Sequence, residues 1–135
     1  MALELLNWVY HDLFKVRKQP FQYTLVLTAA VDPSTAAIIT AKTGYRIRIT
    51  DVWFVVSTDA AQTLTIRDDA VAPVVLCIVP ASYGLGTFHG EFGYAGIAAT
   101  VSKNVDLAAS AAGYAGTLVI EGFYEAIGPF IPSTV

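Results

Sequence analysis

Hydrophobic residues recur along this chain with two different periods, and the change comes early. Over residues 2–17, ALELLNWVYHDLFKVR, the positions Leu3, Leu6, Tyr10, Leu13 and Arg17 fall at helical spacing, with Leu5, Val9 and Val16 widening the stripe. This spacing predicts a short helix. Lys15, Arg17 and Lys18 suit its C-terminal end, where cations meet the helix dipole, and Pro20 is expected to stop it. Trp8, Tyr10 and Phe14 make the segment too aromatic to lie free in water. Residues 1–20 therefore read as an N-terminal arm that docks on something.

From Phe21 onwards the period is two. Phe21 to Val31 alternates loosely and runs into the turn signal Asp32-Pro33-Ser34, and Ala36 to Thr40 is short and partly β-branched. Tyr45 to Thr50 alternates strictly, with Tyr45, Ile47 and Ile49 facing inward and Arg46 and Arg48 outward. Val52 to Val56 follows Asp51 and is apolar on both faces. Further strands are predicted at Thr63 to Arg67, closed by Asp68-Asp69, at Val74 to Val79, ended by Pro80, at Asn104 to Ala108, and at Gly116 to Glu125. Ser82 to Gly96 reads as a long glycine-aromatic loop holding one short strand near Phe88 to Phe92. Pro129 and Pro132 give residues 127–135 the character of an extended tail.

About seven or eight short antiparallel strands between turn signals predict an all-β domain over residues 21–126, a β-sandwich or jelly roll. An immunoglobulin-like sandwich produces the same alternation. The tetrapeptide Gly-Tyr-Ala-Gly occurs at Gly93 to Gly96 and again at Gly113 to Gly116, with unlike flanks. It reads as a repeated turn rather than a duplicated unit.

Composition sharpens this picture. The chain is 55% hydrophobic and only 14% charged, where soluble globular domains carry about 25% charged residues. No run of about 20 apolar residues could cross a membrane as a helix. The start of the chain lacks the basic and cleavable features of a signal peptide. An apolar surplus spread over short strands points to subunit interface. The Val52 to Val56 strand, apolar on both faces, is expected to meet the core on one side and a neighbouring subunit on the other, which places Val52, Phe54 and Val56 at an oligomer interface.

Candidate chemistry is sparse. A net charge of −3 and the single basic cluster at residues 15–18 argue against nucleic acid as a partner. The one cysteine, Cys77, lies in an apolar run and reads as a small buried hydrophobe. His89 and Glu91 are the one local pair able to ligate a metal, but the second histidine of a cupin-type site is missing, and His11 lies in the arm. Asp68-Asp69 points to opposite faces and reads as a hairpin end. Arg46, Arg48 and Arg67 would make a basic face if their strands paired, with Asp51 or Glu121 as the bland partners. No phosphate loop or nucleophile elbow is present. The chain is therefore read as non-enzymatic, without metal or cofactor. Tyr83, Phe88 and Tyr94 form a possible binding loop.

The segments TGYRIRITDVWFVVS, AQTLTIRD and AGTLVIEGFYE, together with the docking arm, resemble small β-rich virion proteins of tailed bacteriophages, head decoration (cement) proteins foremost. The resemblance spans roughly residues 40–125. It implies a homotrimer, made in the host cytoplasm, that sits on the outer capsid surface, binds the major capsid protein and stabilises capsomer junctions. On that reading Leu6, Trp8, Tyr10, Phe14 and Arg17 contact the capsid or a neighbour. The alternatives are another phage head or tail component, a jelly-roll module recognising a glycan or receptor, or a cupin-like enzyme with metal at His89 and Glu91.

Overall fold

The computed structural model describes residues 18–28, 37–108 and 113–127. The strands are β1 (Lys18–Leu27), β2 (Ala37–Ile39), β3 (Tyr45–Thr58), β4 (Leu64–Asp68), β5 (Val75–Val79), β6 (Gly86–Glu91), β7 (Ile97–Ala98), β8 (Val105–Ala108) and β9 (Ala115–Ala126). One sheet has the order β1-β9-β3-β6, with β7 pairing β3 beyond the end of β6; the other has the order β2-β8-β4-β5. Every pairing is antiparallel. The fold is an all-β sandwich of two sheets, and the described residues hold no helix.

The strand at the centre of the larger sheet explains most of the architecture. Sequence alternation over Tyr45 to Thr50 continues after Asp51 into Val52 to Val56, and β3 runs unbroken through both stretches. Its register against β9 shifts between Ile49 and Asp51. A bulge of this kind inserts one residue and reverses the parity of everything after it. Odd-numbered Ile47 and Ile49 and even-numbered Val52, Phe54 and Val56 therefore all face inward and are buried. They pack in one core with Leu118 and Ile120 of β9 and with Leu64, Ile66, Val79, Val105 and Leu107 of the other sheet. Each such side chain, fully withdrawn from water, contributes about 1.5–3 kcal/mol.

Among the described residues, one charged side chain lies in this interior. Asp68, at the end of β4, is fully buried. Its Oδ1 accepts hydrogen bonds from Ala70 N at 3.2 Å and Val74 N at 3.0 Å, and its Oδ2 from Thr100 N at 2.7 Å and Thr100 Oγ1 at 2.6 Å. Its neighbour Asp69 accepts from Asn104 N and Nδ2, both at 3.0 Å, and Asn104 Oδ1 accepts from Ala41 N at 2.7 Å. The expected hairpin end is thus a junction that gathers three loops.

Both Gly-Tyr-Ala-Gly copies lead into strands that pair with β3. The last glycine of each, Gly96 (φ 65°) and Gly116 (φ 151°), adopts a left-handed backbone. A Cβ at either would overlap a β3 carbonyl, that of Ile49 for Gly96 and that of Val55 for Gly116. The repeat marks two places where backbone crosses β3 too closely for a side chain. The tyrosines part company: Tyr114 is buried and Tyr94 fully exposed.

Some expectations move. Lys18, Gln19 and Pro20 stand in β1 opposite Glu125, Tyr124 and Phe123, so the sheet begins within the segment read as an arm. Proline is tolerated there because β1 is an edge strand, where a missing N–H breaks no second ladder. The strand expected to reach Val31 closes at Leu27, and β7 has no counterpart among the expected strands. The predicted helix at 2–17, the arm residues Leu6, Trp8, Tyr10, Phe14 and Arg17, and the tail beyond Ile127 lie outside the described residues.

Candidate functional site

The parity reversal that buries Val52, Phe54 and Val56 turns Asp51, Trp53 and Val55 outward, and the ladders on either side set their neighbours. Gln22, Glu121, Asp51 and Glu91 make one rung across β1, β9, β3 and β6. The next is Thr24, Val119, Trp53 and His89, and the one after that Val26, Thr117, Val55 and Thr87. The outer face of the larger sheet thus carries an acidic rung beside an aromatic and an aliphatic one. Val26 is 68% exposed and Val55 51%.

Trp53 and His89 stack with ring centroids 4.7 Å apart and planes 6° from parallel. His89 Nε2 lies 3.2 Å from Asp51 Oδ1. Gln22 Nε2 donates to Glu121 at 3.2 Å. No hydrogen bond or ion pair among the described residues reaches the Glu91 carboxylate. Towards the other end of the face, Arg46 Nε and Arg48 Nε lie 3.2 Å and 3.0 Å from the two oxygens of Glu125, and Arg48 Nη1 donates to the Ala95 carbonyl at 3.2 Å.

Two of the cavities formed by the described residues open near this face. One, of about 490 Å³, is lined by Lys18, Thr50, Asp51, Glu91, Gly93, Tyr94 and Phe123. The Lys18 ammonium sits 5.3 Å from the centroid of the Phe123 ring. The other, of about 430 Å³, follows the seam between the free edges of β5 and β6, between Val75 to Ile78 and Phe88 to Phe92. Burial of Cys77 in that seam pushes its thiol up to about 11, against a smaller downward pull from the Ile78 backbone.

The structure redistributes the expected site residues. Val52, Phe54 and Val56 do not face a neighbouring subunit: all three are core residues of this one chain, because the bulge before Val52 turns them inward. The side chains that their strand turns outward between them are Trp53 and Val55, which strict alternation from Tyr45 would have buried. Tyr83, Phe88 and Tyr94 do not form one platform. Tyr83 meets Phe88 edge to face at 5.5 Å, and its hydroxyl donates to the Thr87 carbonyl at 3.0 Å. Phe88 packs inward against the core. Tyr94 stands past the opposite end of β6, beyond Glu91.

Arg67 does not join Arg46 and Arg48, because β4 belongs to the other sheet; and these two bind Glu125, not Asp51 or Glu121. His89 and Glu91 share the outer face, yet His89 is engaged by Trp53 and Asp51. No group of three or more His, Cys, Asp or Glu side chains among the described residues is placed to hold a metal ion. Cys77 is buried, as its apolar run predicts.

Neither a protein-family model nor a curated protein matches the chain. Among solved structures it is similar to the core of the Drosophila protein NLP, whose crystal structure provides insight into pentamer formation and histone binding. The identity is 10% and the TM-score 0.45, over 82% of this chain and 100% of that one. At that score the likeness says nothing about partner or assembly.

Proposed function

We propose that the protein is a non-enzymatic structural component of a virion, a capsid decoration protein that acts as a homotrimer at capsomer junctions on the outer capsid surface, with the major capsid protein as its partner. The observation that carries the assembly half of this reading is the outer face of the larger sheet. Val26 and Val55, both more than half exposed, flank Val119 and the Trp53–His89 stack. Apolar and aromatic side chains rimmed by charges match the anatomy of a protein–protein interface.

The strand order supports a jelly-roll wrap. Eight strands lie in two four-stranded arrays, β1-β9-β3-β6 over β2-β8-β4-β5, and the chain changes sheet at most of its connections. That wrap recurs in viral capsid and lectin domains, so fold alone leaves the choice to the surface. Capsid clamping needs several modest contacts on one rigid body, and a trimer multiplies them through effective concentration. The resemblance of residues 40–125 to phage decoration proteins supplies the virion context.

Native mass spectrometry tests the assembly, and co-sedimentation with decoration-free phage capsids tests the partner. The expected species is three times 14.4 kDa, carried down with capsids. Trp53→Asp with Val55→Asp should yield a folded monomer, and Trp8→Ala should weaken capsid binding while leaving the trimer whole. A wild-type monomer at micromolar concentration overturns the trimer; a trimer that never sediments with capsids overturns the virion role.

A further inference from the structure

We propose that the cavity between Tyr94 and Phe123 is a seat for a guanidinium group, an arginine side chain presented by the partner protein. This deepens the docking reading above and rests on it, by naming the chemistry that the partner must bring.

Asp51 and Glu91 are directly opposed on β3 and β6, and Glu121 is directly opposed to Asp51 on its other side. Directly opposed like charges on a sheet destabilise it, so each carboxylate needs a donor. Glu121 has Gln22, and Asp51 has His89. Glu91 has none among the described residues, and it lines the cavity beside Asp51.

Donors are scarce among the described residues that line the cavity. The Thr50 hydroxyl donates to the Glu121 carbonyl at 3.2 Å, which leaves it able only to accept. Among the described residues that line it, Lys18 is the one cation, and its ammonium lies over Phe123. A site rich in acceptors and negative charge calls for a ligand rich in N–H donors and positive charge. A neutral sugar would leave the Glu91 charge uncompensated.

Shape then selects among cations. The Phe123 ring already receives an ammonium, so its face is open to positive charge. Tyr94, fully exposed after the turn at Gly93 (φ 75°), supplies a second ring that buries nothing in the free protein. A planar guanidinium stacks on such rings and forks towards paired carboxylates, which a spherical ammonium does less well. Lys18 acts as the resident placeholder, displaced when the arginine arrives.

The experiment is an amide-resolved NMR titration of the full chain with N-acetyl-arginine amide, run beside the lysine and glutamine analogues and methyl α-glucoside. Saturable shifts are expected at Asp51, Glu91, Tyr94 and Phe123, with Kd on the order of millimolar. Lysine should bind more weakly and glutamine not at all. Glu91→Gln should weaken arginine binding by roughly fivefold or more, whereas Lys18→Met should strengthen it. Spectra of both variants away from the cavity confirm that they fold. No saturable shift, equal binding to Glu91→Gln, or preference for the glucoside overturns the inference. An intact trimer that ignores arginine sinks the cavity alone, and a monomer that binds arginine sinks the trimer alone.

Discussion

Asp68 and Thr100 are joined by two hydrogen bonds to a single carboxylate oxygen, 2.7 Å from the Thr100 amide and 2.6 Å from its hydroxyl. Asp68 ends β4 of the smaller sheet, and Thr100 follows β7, which pairs with β3 of the larger one. The pair ties the end of β4 in the smaller sheet to the segment that follows β7. Burial alone would raise the Asp68 carboxyl, but the bonds from the Thr100 side chain and backbone, Val74 and Ala70 outweigh it and hold the pKa below the ordinary 3.8.

Asp68→Asn keeps the shape but replaces an acceptor with a donor facing N–H groups. It should cost about 2–4 kcal/mol in urea unfolding at pH 7. The pH dependence follows from the sign of the shift. A folded pKa below the unfolded one gives stability that is complete above pH 3.8 and fades as pH falls through the folded value. The Asn variant should lack that acid-limb loss, which unfolding curves between pH 2 and 5 would reveal.

Asp106 should behave in the opposite way. Burial first, then repulsion from Asp69 and Asp68 against attraction from Arg67, raises its pKa above 3.8. Its charged form burdens the fold at neutral pH, and acidification through the raised value relieves the burden. Asp106→Asn should therefore stabilise by about 0.5 kcal/mol at pH 7. The gain should vanish below pH 3.8, and a loss at pH 7 would contradict the sign.

Trp53 and Phe54 are adjacent yet answer to different environments. Phe54→Ala removes a fully buried ring and should cost about 3–5 kcal/mol of stability. Trp53→Ala should change the monomer's stability by less than about 1 kcal/mol, while loosening the proposed trimer. Thermal unfolding paired with native mass spectrometry separates the two effects.

Gly116→Ala should destabilise by about 3 kcal/mol or more, since its φ is left-handed and the new methyl group meets the Val55 carbonyl. Gly96→Ala should do the same against Ile49. Circular dichroism melts would expose either variant, and wild-type melting would refute the close approach.

Cys77 should react with a disulfide reagent at pH 8 on the order of a hundredfold more slowly than an exposed thiol, because burial lifts its pKa to about 11. Denaturant should restore the ordinary rate.

Much of the fold was legible from period-two alternation: β4, β5, β8 and β9 lie within a residue or two of where the pattern places them. Turn signals such as Pro80, just past the end of β5, bounded these strands because their backbone preferences are local. The site was less legible. Glu91 and His89 stood out by chemistry, but nothing near them in the chain announces Trp53, Asp51 or Phe123 as neighbours, since those come from β3 and β9.

By itself the sequence determined an all-β domain from Phe21 onwards, a chain with too few charges for its length, a buried Cys77, and Arg46 and Arg48 sharing a face with one another. These follow from side-chain period and hydropathy, which each residue carries with it. Which face of β3 became core was decided only in three dimensions. One bulge between Ile49 and Asp51 reversed the parity, sent Val52, Phe54 and Val56 inward, and left Asp51, Trp53 and Val55 outside. The bulge is a feature of the pairing of β3 with β9, a partner some seventy residues away in sequence, and side-chain period alone does not report a pairing between distant segments.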